Sequence, residues 1–246
     1  MDPFSESFGF GEYKSQAIDL LKTTIEILNE FEIPNMLISG TLLGYIRHND
    51  FIPWDDDIDL LVDSSILKKL GKIAEKYDNI NIFYKNKYDA IKFCFDFGKP
   101  ISDKSWEMSI IDGEIQRNSK LNFPFVDLFI YESGYGTHIC GREQPIEING
   151  EIKRMFMPFS GPCDRCFRFI KSDEMVFFHN DWKKKYFFPL KEVNFLGIKC
   201  NIPNNPHHFL KNNYNGDYMK VIESRNYDHK NNSKVENITK RPYVRN

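Results

Sequence analysis

Four carboxylates fall within five positions in the stretch Trp54-Asp55-Asp56-Asp57-Ile58-Asp59-Leu60-Leu61-Val62. Packed this closely they repel one another, and on a buried strand they demand a counter-charge. Apolar residues follow at once, so the run reads as the acidic end of a core strand placed at its rim. Alternate side chains of an extended chain share a face, which puts Asp57 and Asp59 on the same side, ~6–7 Å apart at Cα for a rise of ~3.3 Å per residue. Two carboxylates so spaced can converge on one hard divalent ion, Mg²⁺ or Mn²⁺, whose other positions go to water and substrate phosphates. A solvated acidic loop is the plainer reading, and the strand directly behind the run argues against it. An EF-hand fails, because Leu60 stands where that loop needs glycine and Ile66 where it needs glutamate.

Two further features belong with the acids. Ser39-Gly40-Thr41 lies where an apolar run turns into a helical pattern; glycine allows a tight turn there, and the amides at a helix start form an anion site suited to phosphate. Arg47 and His48, one to two turns later, are expected to add positive charge. By itself this is an ordinary capped turn, and it lacks the P-loop spacing; its weight comes from lying just ahead of the acidic strand. Asp127 interrupts the apolar run Phe125-Val126-Asp127-Leu128-Phe129-Ile130. A lone acid in a buried strand is costly unless it is paired or binds a metal. A structural salt bridge is one reading; beside Asp57 and Asp59, sharing their cation is the expectation. Asp55 and Asp56 are read as tuning the site from its rim, and Trp54 as a wedge against the first helix.

The elements that must position these residues follow from periodicity. Ile18, Leu21, Ile25, Leu28 and Phe31 mark one helical stripe, closed by Pro34. Short strands are expected over 36–38 and 57–62, with a helix over 41–47 between them. A helix capped by Ser64 or Ser65 carries Ile66, Leu70, Ile73 and Tyr77. Strands follow over 80–84, 90–97, 106–111 and 125–131, then hairpins and loops over 134–162 and a helix over 173–186. The interleaving implies an α/β or α+β mixed sheet flanked by helices with a loop-rich insert. We read one catalytic domain over 1–225, then a loosely held polar tail over 226–246, where large apolar residues thin out.

The run Ile38-Ser39-Gly40-Thr41-Leu42-Leu43-Gly44, then Arg47-His48, then Phe51-Ile52-Pro53-Trp54-Asp55-Asp56-Asp57-Ile58-Asp59 resembles the signature of the LicD family. That family includes bacterial phosphocholine transferases and fukutin-related proteins, in the nucleotidyltransferase-fold superfamily. Weaker similarity continues at Phe125–Phe129, Phe188–Phe195, Ile202-Pro203 and Phe209–Met219. The resemblance implies a nucleotidyltransferase-like sheet with two acids on one strand, Asp57 and Asp59, and a third, Asp127, on a later one. It implies catalytic and metal-binding roles for these three, and donor binding at Ser39, Gly40, Thr41 and Arg47. The reaction implied moves a phosphorylated alcohol, such as phosphocholine or a pentitol or glycerol phosphate, from a CDP-linked donor to a glycan hydroxyl. The alternatives are transfer of NMP from an NTP to a small acceptor, or an inactive module that binds nucleotide or glycan. The segment 82–122 matches least, and acceptor choice is expected there.

Composition narrows the rest. The 246 residues are 41% hydrophobic and 28% charged, with a net charge of −2 and a pI near 6.3. That balance suits a globular fold and gives no overall pull toward nucleic acid. No stretch approaches the ~20 apolar residues of a membrane span, and the first residues lack the pattern of a secretory signal; a cytoplasmic enzyme is expected, with peripheral membrane contact open through Lys183-Lys184-Lys185, otherwise a solvated helix face. Among the five cysteines, Cys140, Cys163 and Cys166 with His138 offer a Cys₃His set for a structural zinc, with unligated thiols as the alternative. His207-His208 is assigned no role.

Overall fold

A computed structural model describes residues 2–83, 91–101, 108–111, 114–117, 121–135, 142–148, 151–157, 162–170, 184–214, 216–224 and 227–244. In chain order it contains α1 (Lys14–Glu30), β1 (Asn35–Leu37), α2 (Ser39–His48), β2 (Ile58–Asp63), α3 (Leu70–Lys76), β3 (Ile80–Phe83) and β4 (Ile91–Pro100). Next come β5 (Met108–Ile111), β6 (Glu114–Arg117), β7 (Asn122–Tyr135), β8 (Arg142–Ile148), β9 (Glu151–Met157) and β10 (Pro162–Ile170). The remainder comprises α4 (Lys184–Phe187), β11 (Lys191–Phe195), β12 (Ile198–Ile202), α5 (Pro206–Tyr214), β13 (Val221–Glu223), β14 (Tyr227–Asp228), β15 (Ser233–Lys234) and β16 (Lys240–Pro242).

The expected α/β architecture is present. One mixed sheet runs β1-β2-β7-β4-β3-β5-β6, with β10 also paired to β7. The strand β2 is antiparallel to β1 and parallel to β7, and β7 is antiparallel to β4. Val126, Leu128 and Ile130 of β7 are fully buried, as are Leu60, Leu61 and Val62 of β2; a strand covered on both faces reads as a near-continuous apolar run. Helix α1 begins four residues before the apolar stripe that announces it, and Leu20, Leu21, Ile27 and Leu28 pack its inner face into the core. Burial of each such side chain stabilises by roughly 1.5–3 kcal/mol. Gly44 lets α2 approach the turn before β2, since a Cβ there would stand 2.6 Å from the Asp50 carbonyl oxygen.

Three local expectations change. Asp63, and neither Ser64 nor Ser65, caps the turn after β2, its carboxylate accepting from the Ser65 amide at 2.9 Å. That turn is 3₁₀ over Ser64–Lys68, ahead of α3. The chain after Asn226 is tied down by polar contacts where apolar ones are scarce: β13 pairs with β16, the Ser224 amide donates to the Thr239 carbonyl, and the Tyr243 amide donates to the Lys220 carbonyl at 2.7 Å. The helix expected over 173–186 falls outside the described residues except at its end, where α4 begins at Lys184. Among the described residues no helix is long and apolar enough to cross a membrane.

Candidate active site

Strand register brings the chemistry together. Asp59 of β2 stands opposite Asp127 of β7, and Asp127 stands opposite Lys92 of β4. Three adjacent strands therefore present Asp59, Asp127 and Lys92 in one row across the sheet. Ahead of β2, the period of two puts Asp55 and Asp57 on the side of Asp59, and these three acids line one cleft of about 580 Å³. Asp55 lines the cleft beside Asp57 and Asp59, and burial, helped by the Asp57 carboxylate, raises its pKa. The alternation that pairs Asp57 with Asp59 already contained this third acid, so its placement at the rim is corrected.

Asp56 is corrected too, in the opposite direction. It turns away from the cleft, is only 1% exposed, and accepts from the His229 amide at 2.9 Å, the Lys230 amide at 3.2 Å and His229 Nδ1 at 2.9 Å. It anchors the C-terminal segment. The same imidazole reaches Asp57, with Nε2 3.9 Å from Oδ2. Burial pulls the His229 pKa down, but Asp56 and Asp57 outweigh it and leave it raised.

The cleft acids are short of positive charge. Burial lifts the Asp55 and Asp59 carboxyls well above the usual range, and the charge of Asp57 lifts both further. Burial also raises Asp57, with His229 acting against it. Hard oxygen donors crowded without enough counter-charge are the donor set a divalent ion such as Mg²⁺ relieves. As placed, no three His, Cys, Asp or Glu side chains among the described residues converge tightly enough to ligate one ion. Two protein carboxylates suffice for Mg²⁺, and Asp57 and Asp59 both line the cleft. Asp127 stands beside them in register, but its Oδ1 is taken by the Lys92 ammonium, an ion pair with both side chains buried. That ammonium also lies 3.9 Å from the Phe125 ring centroid. Lys92 interrupts the apolar run Ala90–Phe95 just as Asp127 interrupts its own, and a lone charge in an apolar run marks both.

Helix α2 meets the acids at its N-terminus. Ser39 opens it at φ 47°, a left-handed conformation rare for a non-glycine residue. Gly40 faces the carboxylates, since a Cβ there would stand 2.4 Å from Asp55 Oδ2 and 3.9 Å from Asp57 Oδ1. The positive end of the helix therefore points at the acids themselves. The Thr41 hydroxyl accepts from the Asp59 amide at 2.8 Å, clamping helix to strand inside the protein. Arg47 lines the cleft while buried, its Nη1 donating to the Tyr218 carbonyl at 2.8 Å. His48 does not add the expected charge: burial, with Arg47 beside it, lowers its pKa to about 4, and its Nε2 accepts from Arg47 Nε at 2.9 Å. Trp54 wedges between the N-terminal segment and the C-terminal one, not against α1; its ring meets Phe4 edge-on at 4.8 Å and its Nε1 donates to the Glu223 carbonyl.

Tyr214 and Asp217 line the same cleft. Desolvation at the cleft, and then Asp55, Asp59 and Asp57, hold the hydroxyl of the 37% exposed Tyr214 well above the usual phenol range. The similarity over Phe209–Met219 takes in Tyr214 without giving it a role, and no sequence pattern pointed to His229, which is defined by what folds against it. His138 and Cys140 lie outside the described residues; Cys163 and Cys166 fall within β10, where the backbone alone is described, so the zinc set lies outside the described side chains. Lys183 is likewise outside, while Lys185 stands 5.0 Å from the Tyr186 ring centroid.

Residues 32–147 match the family described as "LicD/FKTN/FKRP, nucleotidyltransferase domain". An uncharacterised protein of Rickettsia prowazekii is 34% identical over 80 residues, 31% of this chain and 30% of that protein. An uncharacterised protein of Rickettsia typhi is 49% identical over 41 residues, 17% of this chain and 13% of its own. The lipopolysaccharide cholinephosphotransferase LicD of Haemophilus influenzae is 41% identical over 49 residues, 20% of this chain and 18% of its own. The matched stretches thus span less than a third of each relative.

Proposed function

We propose, from the premise that residues 32–147 make this chain a member of the LicD family, that it is a phosphotransferase moving a phosphorylated alcohol from a CDP-linked donor to a glycan hydroxyl. The observation that carries this reading is the set of like-charged carboxyls of Asp55, Asp57 and Asp59 in one cleft with the Arg47 guanidinium. Such a cleft suits a ligand that arrives with phosphate and a cation.

Asp57 and Asp59 would hold the divalent ion, Mg²⁺ or Mn²⁺, with Asp55 against Asp57. When bound, the ion supplies charge neutralisation on phosphate oxygens. Arg47 binds the donor's diphosphate, its position fixed by Tyr218 and His48. Thr41 keeps its place through the strand and orients Asp59. Asp127, oriented by Lys92, accepts the proton of the acceptor hydroxyl. The acceptor oxygen then bonds to phosphorus as the bond to CMP breaks, and CMP leaves with that electron pair. The acceptor and the alcohol are those the family resemblance suggests, and the cholinephosphotransferase relative makes CDP-choline the first donor to try.

The test is CMP release by the purified protein from CDP-choline, CDP-ribitol and CDP-glycerol, with Asp57→Asn as control. Turnover lost in the variant supports transfer. Equal turnover by both proteins ends the proposal, and pyrophosphate released from an NTP redirects it to nucleotidyl transfer.

A further inference from the structure

The cleft has a wall built by residues beyond the family match, which ends at residue 147. Strands β13 and β16 pair with Val221 opposite Pro242 and Glu223 opposite Lys240, and Val221, Glu223, Ser224 and Lys240 line the cleft that holds the acids. This wall is fastened to the signature segment between residues 47 and 56. Trp54 Nε1 donates to the Glu223 carbonyl at 2.9 Å, the Tyr243 hydroxyl donates to the Arg47 carbonyl at 3.1 Å, and Asp56 holds His229 and Lys230. Among the described lining residues, Arg47 and Lys240 are the cationic ones.

The geometry points to Lys240 as a specificity-determining residue that meets a diphosphate group together with Arg47. This rests on the proposed donor carrying a diphosphate, and it names the wall that recognises it. Arg47 is buried and fixed, a fork of set direction; Lys240 is a point charge on a flexible stem. Its ammonium sits 2.7 Å from Glu223 Oε2, with the two side chains 63% and 52% exposed. A pair so exposed contributes little to stability, so the lysine can exchange carboxylate for phosphate without breaking anything buried.

Calorimetric titration of the 246-residue protein with inorganic pyrophosphate, and separately with CDP, tests this without turnover. Lys240→Glu is expected to weaken both ligands about tenfold or more, the scale of one lost charge-assisted hydrogen bond. Lys240→Arg is expected to bind as wild type within about threefold, and neither variant should shift the melting temperature of so exposed a site. Pyrophosphate binding unchanged in Lys240→Glu, or undetectable in wild type, overturns the inference. Pyrophosphate binding that depends on Lys240 in a protein that turns over no CDP donor retains Lys240 and removes the transfer reaction. Turnover of CDP donors with KM unaffected by Lys240→Glu does the reverse.

Discussion

Asp56 and Asp57 are neighbours of one residue type, yet the two faces of the acidic segment they define could hardly be more different. On one face Asp56 is enclosed by three donors from a single turn of the C-terminal segment. On the other, Asp55, Asp57 and Asp59 are set against one another, with raised pKa values and too little positive charge. A satisfied buried carboxylate holds a structure together; a dissatisfied set is kept for a ligand. The pair Asp127–Lys92 stands between these cases, satisfied in charge but placed in the row of the unsatisfied acids.

Substitutions on the two faces should separate them. Asp57→Asn or Asp59→Asn should cost transfer activity about 10³-fold or more, a loss of ~4 kcal/mol of transition-state stabilisation. The same variants should melt no lower than wild type, because they remove like-charge repulsion. A fall in melting temperature comparable to the loss of activity would erase the contrast. Asp56→Ala should invert the pattern, destabilising by about 3 kcal/mol as it strands His229 and two amides; chemical denaturation reads this, and early proteolysis after residue 226 should accompany it.

The proposed cation site implies a dependence on cation and pH. Their folded pKa values are raised, so the stability they contribute is present at acid pH and is lost as pH rises through the carboxylate range toward neutrality. At pH 7.5, Mg²⁺ at 100 times its Kd should stabilise by about 2.7 kcal/mol, and at pH 5 by less, because protons then compete for the acids. Melting curves with and without Mg²⁺ at the two pH values check this, and an equal shift at both would count against it.

Smaller effects sharpen the same division. Thr41→Val should cost about 1–3 kcal/mol by leaving the buried Asp59 amide without its acceptor, and Thr41→Ser should restore most of it in urea titrations. His48 adds a dependence on pH. Its folded pKa of about 4 lies below the unfolded value near 6.5, so it stays neutral when folded and its contribution falls away as pH drops from about 6.5 toward 4. His48→Gln should therefore flatten part of the acid limb of melting temperature against pH.

Much of this was legible in the chain. The helical stripe, the short strands and the acidic run at a strand's rim are local patterns, and each lies within a few residues of its place in the structure. The site was read in part. Type and spacing single out Asp57, Asp59, Asp127, Gly40 and Arg47; the structure puts Asp57, Asp59, Gly40 and Arg47 on one cleft and Asp127 in register with Asp59, and it adds Asp55, which the same alternation contains. Lys92 is legible by the same sign as Asp127, a lone charge in an apolar run. The tail was misjudged for a different reason: scarcity of apolar residues says little about a segment held by hydrogen bonds to a buried carboxylate.

By itself the sequence determined the face each acid takes, because the two-residue alternation of an extended chain is local geometry and needs nothing beyond the strand. Only the tertiary structure decided what those faces meet. His229 lies 173 residues from Asp56, and Lys92 lies 35 residues from Asp127. Both pairings exist because the sheet order and the return of the C-terminal segment put those groups side by side. Contacts between distant segments depend on topology, which no short-range period encodes.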